Sequence, residues 1–135
     1  MIKLNEIKKG DYVIADNDGD KKTGEVVDLR IFNRQVCVDE GINEYWYDIK
    51  QISAIPLSET VLMDLRFKKI INADGTVKFS KGAFRMAIPK EKDFSKMEIW
   101  YRDERRHIFH PMTVHELQNH FYEMTKVYLN EVSFD

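Results

Sequence analysis

The sequence predicts an α+β chain, all-β in front and mixed behind, on three observations. Short β-rich runs recur about every ten residues from Lys9 to Leu57, separated by turn residues. Further on, Phe84, Met86 and Ile88, and again Met97, Ile99 and Tyr101, alternate with the period of two that half-buried strands require. Finally, Val114, Leu117, Phe121, Met124 and Tyr128 mark one stripe at 3-4 spacing, as an amphipathic helix would.

In order along the front half, Asp11-Tyr12-Val13-Ile14-Ala15 is the first run, and Asp16-Asn17-Asp18-Gly19-Asp20 turns the chain. Thr23 to Leu29, Gln35 to Val38 and Glu44 to Tyr47 follow as strands. The last leads to Ile49, Ile52 and Ile55-Pro56-Leu57. This rhythm of Lys-Gly-Asp-Tyr-Val, turn, Gly-Glu-Val-Val, Val-x-Val, aromatic and Ile-x-x-Ile is similar to that of SH3-like barrels. The expected organisation is a small SH3-like β-barrel over residues 1–56 and a second module over 57–135. The acidic turn does not fit an EF-hand calcium loop from Asp16, because Lys21 and Val27 stand where that loop needs glycine and glutamate. It reads as a hairpin turn.

The second module reads as an antiparallel β-meander flanked by two helices. Ser58 is a helix N-cap with Glu59 in the first turn, and Val61, Leu62, Met63 and Leu65 carry a short helix to about Phe67. Strands at Ile70-Ile71, Thr76 to Phe79, Ala83 to Ile88, Met97 to Tyr101 and Arg105 to Phe109 form the meander, punctuated by Asn72 to Gly75, Lys81-Gly82 and the polar loop Pro89 to Ser95. Thr113-Val114-His115-Glu116 fits the capping box, with Met112 and Leu117 placed as a hydrophobic staple.

The joint Ile55-Pro56-Leu57-Ser58-Glu59 and the helix opening Val114-His115-Glu116-Leu117-Gln118-Asn119 resemble a group of short uncharacterised bacterial proteins found among prophage and mobile-element genes. In that group an I-P-L-T-E joint precedes a helix and V-H-Q-L-Q-N opens the last one. This chain departs at Glu116, where the group has glutamine, and at Leu65-Arg66-Phe67, where a glycine separates the hydrophobics. The resemblance implies the architecture and a phage or mobile-element origin, and brings no activity with it.

Composition narrows the function classes. The chain has 135 residues, 43% apolar and 33% charged, with a net charge of −2. Residues 1–57 hold 8 Lys/Arg against 11 Asp/Glu, and residues 58–135 hold 13 against 12. Neither half has the basic excess of a general nucleic-acid binder. No apolar run approaches the roughly eighteen residues of a membrane span, and the opening MIKLNEIKKGD lacks the core of a secretory leader. Cytoplasmic residence without a membrane partner is the expectation. The single Cys37, within Val36-Cys37-Val38, is expected in a buried strand.

All four histidines fall between His107 and His120. A zinc helix needs two at i, i+4, whereas His115 and His120 are five apart, separated by about 140° on a regular helix. His115 is expected to project away from the apolar stripe and His120 to lie on its flank. His107 and His110 belong to a strand ending at Pro111. No metal site, cofactor or catalytic residue is expected, because no carboxylate, histidine and nucleophile form a recognisable set. Two binding candidates remain. Tyr45-Trp46-Tyr47 must turn at least one aromatic outward, which fits a protein partner, although these rings also suit sealing a joint between modules. Trp100, Arg102, Arg105 and Arg106 offer cations beside aromatics for nucleic acid, diluted by Asp103 and Glu104. The leading expectation is a non-enzymatic module that binds another protein, and nucleic-acid binding is the competing one.

Overall fold

Asp18 and Gly19 both take positive φ, 52° and 93°, so β1 (Tyr12–Asn17) returns directly onto β2 (Asp20–Arg30) through a two-residue turn. Such turns match the twist of paired strands, and this one is the hairpin expected of the acidic cluster. The computed structural model describes residues 2–129 and divides into two compact units, Met1–Ile55 and Pro56–Asp135. The architecture is α+β, with two five-stranded antiparallel sheets and two α-helices among the described residues. No helix is long and apolar enough to cross a membrane among the described residues.

In the first unit β3 (Gln35–Asp39), β4 (Glu44–Asp48) and β5 (Ile52–Ser53) complete a sheet of order β4-β3-β2-β1-β5. A 3-10 turn at Ile49–Gln51 separates β4 from β5, capped by Asp48 accepting from Lys50 N–H at 2.9 Å. Among the described residues no ladder joins β4 to β5. The sheet is open where a closed barrel was expected, because β5 contributes only the pairs Ile14–Ser53 and Ala15–Ile52. Val13, Ala15, Val26, Val36, Val38, Ile49 and Ile52 form its core with Ile2, Ile7 and Tyr47. The register of β2 on β3 shifts between Val26 and Asp28, a bulge that bends the long strand. Just before it, Gly24 lies against β3 so closely that a Cβ there would stand 2.5 Å from the Asp39 carbonyl and the Val38 Cγ1.

Asp11 anchors the entry to β1. Its carboxylate accepts from Lys8 N–H at 3.0 Å, and its carbonyl accepts from Val26 N–H at 2.8 Å. Only 2% of the residue is exposed. Burial therefore pushes its pKa up to about 6, against the Lys8 hydrogen bond and charge.

In the second unit Ser58 caps α1 (Glu59–Asp64), its hydroxyl accepting from Val61 N–H at 3.2 Å. The helix stops at Asp64, short of the expected end near Phe67, because Arg66 turns left-handed at φ 68°. Phe67 N–H then reaches the Leu62 carbonyl at 3.0 Å and Arg66 N–H the Met63 carbonyl at 3.0 Å, the Schellman closure. Next come β6 (Lys68–Ile71), β7 (Val77–Lys81), β8 (Phe84–Ile88), β9 (Met97–Tyr101) and β10 (Glu104–Ile108), a meander in sequence order. The last strand ends at Ile108, before Pro111, where the sequence had suggested its end.

Helix α2 (Val114–Thr125) ends at left-handed Lys126, φ 65°, so Tyr128 lies outside the stripe it was expected to extend. Phe121 of α2 and Phe67 both meet Phe84 at the sheet, with ring centres 4.8 and 6.3 Å from it. Pro56 bridges to Thr113, and Leu57 N–H donates to the Met112 carbonyl at 3.3 Å, so the start of this unit lies beside the start of α2. The ammonium of buried Lys81 donates to the Leu65 carbonyl at 2.7 Å and the Leu129 carbonyl at 3.4 Å. Burial, then the nearby Arg66, lowers its pKa to about 8.

Two measurements test this packing. Gly24→Ala must displace β3 and should cost about 1–3 kcal/mol in urea denaturation; an unchanged midpoint would show that β2 can back away. Asp11 binds its proton more tightly folded than unfolded, so its contribution to stability falls as pH rises from about 4 to 6. Asp11→Asn, which keeps an acceptor for Lys8, should therefore stabilise the protein at neutral pH by on the order of 2 kcal/mol and leave it unchanged near pH 4.

Candidate functional site

Strand β4 is an edge of its sheet and carries the first candidate group. Tyr45 is 47% exposed, whereas Tyr47 is 7% exposed and belongs to the core. The Tyr47 hydroxyl donates to Glu40, and burial followed by that bond pushes its pKa up to about 12. Trp46 is half-buried, with the Arg30 guanidinium stacked 4.0 Å from its ring centre. Of the three, Tyr45 is the one exposed to solvent.

The structure adds residues to this edge that the sequence reading did not single out. Phe32 is wholly exposed, Ile31 is 61% exposed and Ile42 is 94% exposed. Ile42 lies in the turn that leads into β4. The Ile31–Arg34 turn closes the strand's other end, with the Arg34 carbonyl accepting from Ile49 N–H at 2.9 Å. The sequence signal for both was a large apolar residue inside a polar turn, in Arg30-Ile31-Phe32-Asn33-Arg34 and Gly41-Ile42-Asn43.

The second candidate group is divided by the sheet. Trp100 and Arg105 are direct cross-strand partners, with the guanidinium 5.2 Å from the ring centre, and Arg105 is ion-paired to Glu98. Arg102 sits left-handed in the β9–β10 turn, 5.1 Å from the Tyr101 ring centre. Arg106 points to the opposite face. There it contacts Glu123 at 2.6 Å, Glu104 at 2.7 Å and the His120 Nδ1 at 2.8 Å. The four residues therefore do not make one grip: successive strand residues face opposite ways, and Arg106 ties β10 to α2 instead.

The histidines serve local contacts. His120 receives the Arg106 N–H, and burial followed by that cation lowers its pKa, keeping the ring neutral. His110 Nε2 lies 3.2 Å from Glu116, and His107 Nδ1 lies 3.7 Å from Glu98. His115, expected to project outward, is 4% exposed, its Nδ1 3.2 Å from the Thr113 hydroxyl. The buried side of α2 is wider than its 3-4 stripe, taking in His115 and Gln118 as well. Among the described residues no three His, Cys, Asp or Glu side chains are grouped to hold a metal ion. Cys37 is buried, and burial, then Glu44, raises its pKa, so the thiol stays protonated.

Comparison with protein-family models, with curated proteins and with solved structures finds no match.

Glu116 is held by its neighbours, accepting from Thr113 N–H at 3.0 Å and the Thr113 hydroxyl at 2.8 Å. Burial pulls its pKa up, but the bonds from Thr113 and His110 outweigh it and hold the carboxyl below its ordinary value. A depressed folded pKa stabilises above the unfolded value and is lost as pH falls through the folded one. Glu116→Ala should accordingly cost about 1 kcal/mol at neutral pH, with the difference from the parent shrinking in acid. A cost independent of pH would assign the effect to packing.

Proposed function

We propose that this chain is a non-enzymatic interaction protein whose first unit, an SH3-like module, takes an extended segment of another protein along β4. The observation that carries the reading is an edge strand bracketed by two exposed apolar turns, Phe32 at one end and Ile42 at the other, with Tyr45 between them. An added strand gains affinity from main-chain hydrogen bonds and specificity from alternate side chains. Five residues of β4 offer about 17 Å of such backbone. The edge carries Glu44 and Asp48, charges that discourage indiscriminate strand pairing. Those carboxylates favour a partner segment with Lys or Arg.

The SH3-like assignment is supported by the order β4-β3-β2-β1-β5, the bent β2 and the 3-10 turn before β5. The non-enzymatic reading is supported by the contacts of His110, His115 and His120, each beside a neighbouring side chain that fixes it. Kinship with the prophage-associated group is part of the same proposal. It draws support from Arg66, whose φ of 68° marks a position that favours the glycine found there in that group.

A photo-crosslinking residue at position 45, expressed in the source cell, should trap one discrete protein adduct. Phe32→Ser and Ile42→Ser should remove the adduct while leaving thermal unfolding unchanged. An adduct pattern matching that from a crosslinker at exposed Lys21 would refute the β4 site.

A further inference from the structure

Among the described residues the meander has one face covered and one face without a helix, and the second face is rich in cations. Residues directly opposite across antiparallel strands share a face. The register therefore sets Lys68, Ser80, Arg85, Trp100 and Arg105 in one row across all five strands. A second row, two residues along each strand, holds Ile70, Lys78, Ala87, Glu98 and His107. The opposite face holds Phe79, Met86 and Ile99, each at most 1% exposed. Arg106 lies on that buried side, reaching α2. The face bearing the two rows thus carries four cations against the one carboxylate of Glu98, in a chain whose net charge is −2. Arg85 and Lys68 are exposed. Among the described residues no ion pair engages Arg85 or Lys78, while Arg105 is shared with Glu98.

Aromatic surface accompanies the charge. Trp100 sits fourth in its row, between Arg85 and Arg105. Next to Glu98, a groove of about 290 Å³ opens over Ala87, with Pro89, Lys96, His107 and Phe109 among its walls. Its volume is on the order of ten water molecules, room for one flat ring. Phe109 is 81% exposed and stacks on His107, with ring centres 6.3 Å apart and planes 16° from parallel. Two aromatic platforms therefore stand on one face, separated by one row spacing, with lysine and arginine around them.

We infer that this sheet face binds single-stranded nucleic acid, with Trp100 and the His107–Phe109 stack receiving unpaired bases and Arg85, Lys78, Lys68 and Arg105 holding phosphates. Splayed bases stack on aromatics exposed on an open sheet, while paired bases within a duplex cannot reach them. Small Ala87 leaves depth in the groove beside the His107–Phe109 stack. The site lies wholly within the second unit and is independent of the β4 edge.

The test is titration of the full chain with a labelled, mixed-sequence single strand of RNA or DNA about a dozen nucleotides long, at low salt. Binding should weaken with salt at about 0.7 logarithmic units per phosphate held, and Arg85→Gln should remove about one such increment. Trp100→Leu should weaken binding on the order of tenfold, with Trp100→Tyr restoring most of it. In a Trp46→Phe background the oligonucleotide should quench the emission of Trp100, which reports stacking directly. Phe32→Ser should leave all of these values unchanged. Absence of binding at low salt would overturn the inference, as would affinity unmoved by Arg85→Gln and Trp100→Leu. Duplex bound as tightly as single strand without quenching would also overturn it, reducing the face to general phosphate attraction. Retention of an acidic protein by this face, with no oligonucleotide bound, would reassign it to a protein partner.

Discussion

Phe84, wholly buried on β8, is the contact on which the second unit depends. Phe67, at the closure of α1, meets it edge-on with planes 72° apart, and Phe121 of α2 packs against it at 4.8 Å. Burial of each such ring contributes on the order of 2–3 kcal/mol. Geometry matters as much as area, because both helix termini are set so that these rings arrive. The left-handed Arg66 swings Phe67 back under α1, and the Thr113–Glu116 box fixes where α2 begins and hence where Phe121 lands.

A sheet that meets its helices on one side must leave its other side to some other use. In the second unit this separates neighbouring arginines: Arg106 is drawn into α2 while Arg105 stays with Trp100 on the helix-free side. In the first unit the core takes Val36 and Val38, and the partial closure by short β5 leaves β4 as an edge. Exposed aromatic and charged groups therefore lie at an edge in one unit and on a face in the other. Histidines that looked grouped in sequence are distributed among local contacts by the same geometry.

Elements whose local signals agreed with their packing were legible from sequence. The Asp18-Gly19 turn, the alternation through Phe84-Met86-Ile88 and the Thr113–Glu116 cap each have a short-range cause. Features decided at long range were not. The end of α1 needed a left-handed residue that arginine does not announce, and the burial of His115 depends on how broadly α2 packs. Of the candidate sites, Tyr45, Trp100 and Arg105 were readable as exposed or paired groups. The cross-sheet row joining Lys68 and Arg85 to Trp100 exists only through strand register. Phe32 and Ile42 were visible as apolar residues in turns, but only the strand order puts them at the two ends of one edge.

The pairing of Pro56 with Thr113 has a temporal consequence. Every described strand of the first unit pairs within Met1–Ile55, so its ladders can form once that stretch has left the ribosome. The second unit cannot close until its own first residues meet the segment entering α2, which is made more than fifty residues later. Its meander must wait, with the Phe79, Met86 and Ile99 side uncovered, until Phe121 emerges. Until then this apolar face is open to the contacts that lead incompletely folded chains to aggregate.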